Sequence, residues 1–373
     1  MSLAWVVIVL SAGWVTYAYA GYPLLLLALR WLAPRPIRRG DALPSLSIVI
    51  AVHNGARELR TKLTQTLALE YPGEREILVS SDGSTDETEA VAREFEGQGV
   101  ALVANPERRG KEAAQAAAIA RARGEVLVFT DVSATLEPGA LRALVRPFSD
   151  PTVGCVSSED VIEATGGEAV YVRYEMALRA LESEVATLIG LSGSCFAIRR
   201  TLCDPWPTDL ASDFRSALEA ACRGLRAVSE PQARVRFGAT RAPAEEWSRK
   251  VRTVRRGLAV LSAYRGLLAP RHGRAALALW SHKVARFTSP FALIALLAAS
   301  AWAAPGNAWA ATLLGAQLLV YGLGALALVA GPLASLLPAR VAAFWLLVNA
   351  SMLVAWGHHL TGRRAVLWQP TRR

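Results

Sequence analysis

The chain has 373 residues, of which 53% are hydrophobic and only 19% are charged, and its formal net charge is +10 at pH 7. This composition argues against a protein that consists of a soluble domain alone. The basic stretches also lack the interleaved aromatic residues typical of nucleic-acid readers, so we expect no nucleic-acid partner.

Long apolar stretches lie towards both ends of the chain. Residues 1–29 and 287–339 contain no charged side chain, and residues 341–362 contain none besides two histidines. Because a membrane-spanning helix needs roughly 20 apolar residues, the pattern predicts four spans, near residues 4–29, 289–304, 308–330 and 341–359. The first stretch is too long for a cleaved signal peptide and lacks its basic start, so we interpret it as a retained anchor.

Much of the positive charge flanks these apolar stretches, at residues 30–39, 249–256 and 271–283. Lysine and arginine beside membrane spans favour the cytoplasmic side, and anionic lipid headgroups attract them further. We therefore expect a multi-pass protein of the inner (plasma) membrane, with membrane lipids as partners and its central part in the cytoplasm. If the N-terminus lies outside the cell, four spans place the basic tail at 363–373 outside as well. That position runs against the tendency of lysine and arginine to lie on the cytoplasmic side.

Strands and helices alternate through the first half of the central part. This order indicates βαβ units and a mainly parallel sheet. The strands are predicted at 44–54, 76–80, 100–104 and 126–130, and the helices at 56–69, 85–95, 111–123 and 138–148. The later half is less regular, with helices predicted at 169–189, 213–223 and 246–264 and a strand running into residues 199–200.

Two of the predicted strands end in an aspartate. Residues 76–86 read EILVSSDGSTD, and residues 126–133 read VLVFTDVS. Ligands of open α/β sheets bind at the carboxyl ends of parallel strands, where carboxylates suit a divalent cation that bridges phosphates. A capped β–α turn around Asp82 and a helix-capping Asp131 are equally consistent with the pattern.

Three further positions carry suitable chemistry. Lys111 precedes a helix whose N-terminus can bind phosphate, and Asp213 lies at a helix start, which favours the anionic form that a general base needs. Arg252, Arg255 and Arg256 can clamp a diphosphate. A solvated basic turn, a structural aspartate and a lipid-facing basic cluster are the respective alternatives.

In this order, the pieces resemble a membrane-bound glycosyltransferase of family 2, of the bacterial exopolysaccharide or surface-glycan type. The matching pieces are a strand ending in His53-Asn54, the run DGSTD at 82–86, Gly110-Lys111, the strand ending in Asp131, and Asp213 followed by GLRAV at 224–228. The resemblance runs from residue 44 to about residue 256. It implies an α/β fold of the GT-A type, a Rossmann-like domain that binds a nucleotide-diphosphate sugar.

The same resemblance implies a domain organisation and a role for each matching residue. The domains would be an anchor at 1–33, the GT-A domain at 44–240, basic interfacial helices at 241–286, membrane helices at 287–362 and a basic tail at 363–373. Asp213 would be the catalytic base, and Asp131 with Ser133 would hold Mg²⁺ or Mn²⁺. The donor would be bound by Asn54, Asp82 (at its base), Lys111, Asp131, Arg252, Arg255 and Arg256, and the acceptor by Gly193, Ser194 and Cys195.

The sequence departs from the family pattern at four points. One is Ala116, which stands where the helix after Gly-Lys often has an asparagine. Ser133 stands where the Asp-x-Asp metal motif has its second carboxylate, Ser212 precedes Asp213 where an acid is usual, and Gly257 replaces the tryptophan after Arg256. The missing tryptophan lowers the expectation of a processive polysaccharide synthase.

We therefore expect an inverting glycosyltransferase that transfers a sugar to a lipid-linked or growing glycan acceptor at the cytoplasmic membrane face. A polyprenyl-phosphate sugar transferase and a non-catalytic membrane scaffold remain as alternatives.

Overall fold

A computed structural model describes residues 2–163, 167–238, 243–329 and 336–362. In this part of the chain, eight strands form one sheet in the order β3-β2-β1-β4-β7-β6-β8-β5. The strands are β1 Leu46–Val52, β2 Arg75–Asp82, β3 Val100–Asn105, β4 Val126–Thr130, β5 Thr135–Leu136, β6 Val153–Glu163, β7 Cys195–Arg199 and β8 Arg226–Gly238. The predicted α/β fold class is confirmed.

The sheet has a parallel half and a mixed half. Strands β1 to β4 pair in parallel, as the alternating pattern predicted. Strand β7 then pairs antiparallel with both β4 and β6, while β6 pairs in parallel with β8. The mixed half lies in the region whose sequence pattern is irregular, and β6 was not predicted there.

Thirteen α-helices lie in the described residues. They are α1 Leu3–Thr16, α2 Tyr22–Leu32, α3 Ala56–Leu67, α4 Thr88–Glu94, α5 Lys111–Ile119, α6 Ala140–Val145, α7 Gly167–Val185, α8 Ser212–Cys222, α9 Pro243–Ala263, α10 Arg274–Ala278, α11 Ala285–Ala303, α12 Ala308–Val329 and α13 Leu337–Leu360. Helix α8 ends before Gly224, whose φ of +73° is the left-handed conformation that favours glycine after a helix.

The core explains why β1 is a continuous apolar run. Every residue of β1 is buried. Ile48 and Ile50 pack in one hydrophobic cluster, whereas Val49 between them packs in a second cluster with Phe129 of β4. Side chains alternate between the two faces of a strand, so both faces of the sheet are covered. The carboxyl ends of these strands are thereby held on a rigid support.

Within the described ranges, four helical segments are long and apolar enough to cross a membrane. They are Leu3–Leu32, Arg274–Gly306, Ala308–Val329 and Leu337–Leu360. Their number agrees with the four predicted spans. The second segment begins at Arg274, so it continues through the boundary predicted at residue 286. The predicted basic tail at 363–373 lies outside the described residues.

A buried polar cluster joins helix α7 to the first two apolar segments. The Tyr22 hydroxyl donates to Glu182 Oε1 at 2.9 Å, and His282 Nδ1 lies 2.8 Å from the same oxygen. Glu175, two helical turns before Glu182 on the same face of α7, forms an ion pair with Arg286. Breaking one side of a buried ion pair is strongly destabilising, so this cluster defines how the α/β domain is attached to the apolar helices.

Candidate active site

The loops after β1 and β2 are joined by the side chain of Asn54. The Thr85 backbone N–H donates to Asn54 Oδ1 at 2.8 Å, and Asn54 Nδ2 donates to Thr85 Oγ1 at 3.2 Å. Asn54 has a φ of +47°, which asparagine tolerates better than most residues. Its amide therefore positions the turn at residues 82–86. Its predicted contact with the donor stays a prediction.

Asp82 is 2% exposed and anchors the loop that leads into α5. Its Oδ1 accepts a hydrogen bond from the Arg109 backbone at 2.8 Å, and its Oδ2 accepts one from the Gly110 backbone at 2.9 Å. The loops approach so closely at Gly83, whose φ is +61°, that a Cβ there would lie 2.5 Å from the Arg108 nitrogen. The carboxylate thus has a structural role besides the predicted contact with the nucleotide base.

We expect Asp82→Ala to weaken binding of the nucleoside diphosphate itself. The substitution removes a charged acceptor and releases the loop at 108–110, and hydrogen bonds to charged groups contribute about 1.5–3 kcal/mol each. Calorimetry with UDP and GDP measures the effect. Asp86→Ala is the matched control, because Asp86 caps the same turn through the Thr88 N–H at 3.0 Å. Unchanged nucleotide affinity in Asp82→Ala would show that Asp82 has no part in the donor site.

Asp131 and Lys111 meet at the end of β4. Lys111 Nζ lies 2.5 Å from Asp131 Oδ1 and 3.4 Å from the Gly193 carbonyl oxygen. The Asp131 backbone N–H donates to the Ser194 carbonyl at 3.0 Å. Burial alone would lower the pKa of Lys111, but the Asp131 carboxylate outweighs it and raises this pKa. The ammonium is therefore charged where a phosphate would approach.

The same place offers oxygen ligands for a divalent cation. One Asp131 oxygen, Oδ2, receives no hydrogen bond from any described residue, and the Ser133 side chain is exposed. Among the described residues, no three histidine, cysteine, aspartate or glutamate side chains cluster in a way that could hold a metal. A carboxylate, a hydroxyl and the oxygens of a diphosphate fit Mg²⁺ or Mn²⁺, which prefer oxygen ligands and substrate phosphates. The protein alone supplies few ligands.

The buried side chain of Lys62 stabilises the loop after β4, and the sequence analysis did not identify this residue. The side chain is 2% exposed, and its Nζ donates to Thr130 Oγ1 at 2.8 Å and to the Ala134 carbonyl at 2.5 Å. These two acceptors flank the segment that carries Asp131. Lys62 lies on the same face of α3 as the buried residues Leu59, Leu63 and Thr66, so a lysine on the apolar face of this helix was the local signal that could have identified it.

Burial lowers the pKa of Lys62 from 10.5 to about 8, and this shift predicts a pH dependence. Between pH 8 and 10.5 the unfolded chain binds a proton at this lysine that the folded protein does not, so the free energy of unfolding rises with pH in that window. The gain is about 3 kcal/mol. We expect the thermal midpoint of the wild type to rise relative to that of Lys62→Met from pH 8 to 10.5 in detergent. Parallel pH curves would contradict this.

Asp213 lies in the first turn of α8, as predicted, and faces the segment that includes Gly193. A Cβ on Gly193 would lie 3.2 Å from Asp213 Oδ2, so a larger residue would press on the carboxylate. Gly193 and Ser194 line the cavity described below. Cys195, in contrast, is fully buried in β7, and burial raises the pKa of its thiol to about 12. The predicted contact of Cys195 with the acceptor stays a prediction, and the buried position of the thiol does not support it.

One cavity of about 400 Å³ connects these residues with the apolar helices. Lys111 and Asp131 line it at the strand ends of the sheet, and Phe287 and Met352, from α11 and α13, line it among the apolar helices. Asp213 is also on the wall. The cavity is therefore open both to the strand ends and to the part of the protein that is apolar enough to lie in a membrane.

Helix α9 contributes the predicted arginines unequally. Arg252 and Arg256 line the cavity, whereas Arg255 is not among the described lining residues. Arg256 forms an ion pair with Glu112, a 4% exposed residue of α5 that sequence reasoning also missed. Glu112 follows Lys111 directly, so this pair connects the basic helix to the loop at the strand ends.

A model of the family described as glycosyl transferase family 2 matches residues 47–204. The chain is 31% identical over 124 residues to an N-acetylglucosaminyltransferase of Rhizobium leguminosarum bv. trifolii, covering 32% of this chain and 68% of that protein. It is 26% identical over 217 residues to an N-acetylglucosaminyltransferase of Mesorhizobium japonicum, covering 52% of this chain and about half, 51%, of that protein.

A solved structure is similar over nearly the whole chain. It is the mannosyltransferase PcManGT from Pyrobaculum calidifontis in complex with GDP-Man and Mn²⁺, with a TM-score of 0.74 and 25% identity, covering 96% of this chain and 100% of that one. The α/β sheet with acidic residues at its strand ends, together with these similarities, thus defines a glycosyltransferase of the GT-A fold. The chain belongs to glycosyltransferase family 2.

The comparisons confirm the predicted family, the GT-A fold, the glycosyltransferase activity and the use of a nucleotide-sugar donor. The Mn²⁺ in the neighbouring structure supports a divalent cation. The four apolar segments support membrane association. The roles of individual site residues and the domain limits remain predictions.

Proposed function

We propose that this protein is an inverting glycosyltransferase of the inner (plasma) membrane. It moves a sugar from a nucleotide-diphosphate donor to the hydroxyl group of a lipid-linked or growing glycan at the cytoplasmic face. The observation that carries the proposal is the cavity whose wall includes both the strand-end residues and residues of the apolar helices. An acceptor attached to a lipid can reach the donor through such a cavity without leaving the membrane.

The donor occupies the strand ends in this proposal. Lys111 lies at the N-terminus of α5, where both the ammonium and the helix attract a diphosphate. Asp131 and Ser133 hold Mg²⁺ or Mn²⁺, which when bound neutralises the charge of the leaving diphosphate. Arg252 on the cavity wall adds a guanidinium on the side of α9.

Asp213 acts as the general base. It takes the proton of the acceptor hydroxyl while that oxygen forms a bond to the anomeric carbon and the bond to the diphosphate oxygen breaks. One such displacement inverts the configuration of the sugar. The absence of a side chain at Gly193 leaves room next to the Asp213 carboxylate, where the acceptor oxygen must lie.

The test is a screen of purified protein with UDP-GlcNAc, GDP-Man and other nucleotide sugars, using lipid-linked glycans extracted from membranes as acceptors. UDP-GlcNAc is included because relatives are named N-acetylglucosaminyltransferases, and GDP-Man because the solved neighbour binds it. We expect one donor to give a glycan product with inverted anomeric configuration, determined by NMR. A retained configuration would contradict the proposal.

The same screen separates the alternatives. A product in which the sugar is attached directly to the phosphate of a polyprenyl lipid would indicate a polyprenyl-phosphate sugar transferase. No turnover of any donor, with nucleotide binding retained, would indicate a scaffold.

Labelling of Cys222 tests on which side of the membrane the GT-A domain lies. The chain has four cysteines, and Cys222 is the exposed one, whereas Cys155, Cys195 and Cys203 are buried. We expect a membrane-impermeant maleimide to label intact cells poorly and opened membranes strongly at this residue. Cys222→Ser is the control for the specificity of labelling. Strong labelling of Cys222 in intact cells would place the GT-A domain outside and overturn the proposed membrane face.

A further inference from the structure

Most charged side chains on the cavity wall are neutralised by a neighbour. The pairs are Lys111 with Asp131, Arg179 with Asp160, Arg249 with Glu168, Lys250 with Glu246, Arg256 with Glu112 and Arg286 with Glu175. Within the described ranges, three wall residues have no oppositely charged group within 4.0 Å, namely Asp213, Arg252 and Lys283. The cavity therefore presents one carboxylate and two cations without a direct ion-pair partner, and Glu175 and Glu182 attract Lys283 only from beyond 4.0 Å.

The two cations come from different elements of the cavity wall. Arg252 is one helical turn before Arg256, whose partner Glu112 adjoins the donor-side Lys111. Lys283 belongs to the π-helical stretch Leu279–Val284, which lies within the apolar segment Arg274–Gly306. Two separate cations suit two separate anionic groups, and the donor accounts for one of them.

Lys283 places a cation among apolar and aromatic side chains, a combination that suits a ligand with one charged and one apolar part. Its ammonium lies 5.2 Å from the centre of the Phe214 ring and 3.6 Å from the position of a Cβ on Gly190. Phe287, one turn further along the same apolar segment, lines the cavity beside Lys283, and so does Met352 of α13. An unpaired lysine in an apolar segment is costly and usually serves a ligand.

We propose that Lys283 binds the phosphate of the acceptor, and that the acceptor is a sugar linked to a lipid through a phosphate or diphosphate. The hydrocarbon chain of this acceptor lies along Phe287, Val348 and Met352. The unpaired Asp213 then receives the proton from the sugar hydroxyl. This inference rests on the proposed function, because it names the class of acceptor that the same site uses.

Two synthetic acceptors with the same sugar test the inference. One carries the sugar on farnesyl diphosphate, and the other is the farnesyl glycoside without phosphate. We expect the wild type to have a KM for the diphosphate acceptor that is lower by roughly tenfold to a hundredfold, the effect of one charged hydrogen bond. In Lys283→Gln this preference should disappear, with kcat and the KM of the donor nearly unchanged.

Two variants provide controls. Lys283→Arg keeps the charge and should restore most of the preference, which a purely structural role of the lysine would not predict. Arg271→Gln removes an exposed cation near the same segment and should keep the wild-type preference. Equal KM values of the wild type for both acceptors would overturn the inference. A loss of activity in Lys283→Gln that is equally large with both acceptors would overturn it too.

Lys283 could also bind the phosphate in the headgroup of an anionic bilayer lipid. A comparison of nanodiscs of different lipid composition distinguishes this ligand from the phosphate of the acceptor. The assay is run in phosphatidylcholine with and without phosphatidylglycerol. An effect of Lys283→Gln that is confined to phosphatidylglycerol discs and equal for both acceptors would overturn the inference. Transfer to the phosphate-free acceptor supports the proposed function independently, so a failure of the inference is distinguishable from a failure of the function.

Discussion

Replacing Asp213 by asparagine is expected to lower the rate of sugar transfer by about 10²–10⁴-fold, the usual cost of losing a general base. The substitution keeps the size of the side chain and removes its ability to accept a proton. Asp213 has no ion-pair partner among the described residues, and its Oδ2 lies directly beside Gly193 on the cavity wall. The effect is measured as single-turnover kinetics with saturating donor, and calorimetry should find donor binding nearly unchanged.

Asp209→Asn is the matched control for the base. Asp209 is exposed in the loop before α8 and does not line the cavity in the described structure. We expect this variant to keep near-normal turnover. If Asp209→Asn loses activity and Asp213→Asn keeps it, the wrong acid has been assigned. If both variants stay active with a polyprenyl-phosphate acceptor, the competing function is favoured, because a phosphate is already ionised.

Asp131→Asn is expected to lower turnover by roughly 10²–10³-fold, the cost of removing a group that stabilises developing charge. Asp131 is the strand-end carboxylate that pairs with Lys111 at 2.5 Å. In the proposed function it would also provide the anionic ligand for a divalent cation. The measurement is turnover as a function of Mg²⁺ and Mn²⁺ concentration. The variant should need far more metal than the wild type, or stop responding to it.

Ser133→Ala tests how much the hydroxyl contributes to the same site. A neutral hydroxyl is a weaker ligand than a carboxylate, so we expect a modest increase in the metal concentration that gives half-maximal activity, with the maximal rate largely kept. Undiminished turnover of the wild type in EDTA would show that the divalent cation is not required. An Asp131→Asn variant with normal activity would exclude Asp131 as its ligand.

Local patterns were sufficient to predict the parallel half of the fold. Strand β4 was predicted with its observed limits, because an apolar run of four residues followed by Thr-Asp can be accommodated in few ways. The helix at Asp213 and its end at Gly224 were also predicted from capping chemistry. The pairing of β6 with β7 and β8 was not, because it depends on contacts between residues distant in sequence.

The sequence by itself determined the class of this protein, since apolar runs, turn residues and the order of the acidic strand ends are local properties of the chain. Only the tertiary structure decided which of those charges are already paired. Asp82 bonds to backbone N–H groups, Arg256 is neutralised by Glu112, and Lys62 braces the loop that carries Asp131. Each of these contacts joins residues that are far apart in sequence. The free energy of a charged side chain depends on its burial and on its neighbours in the fold, and the hydrophobic pattern of the sequence predicts neither. The same reason explains why the cavity that connects the strand ends to the apolar helices was visible only in the folded chain.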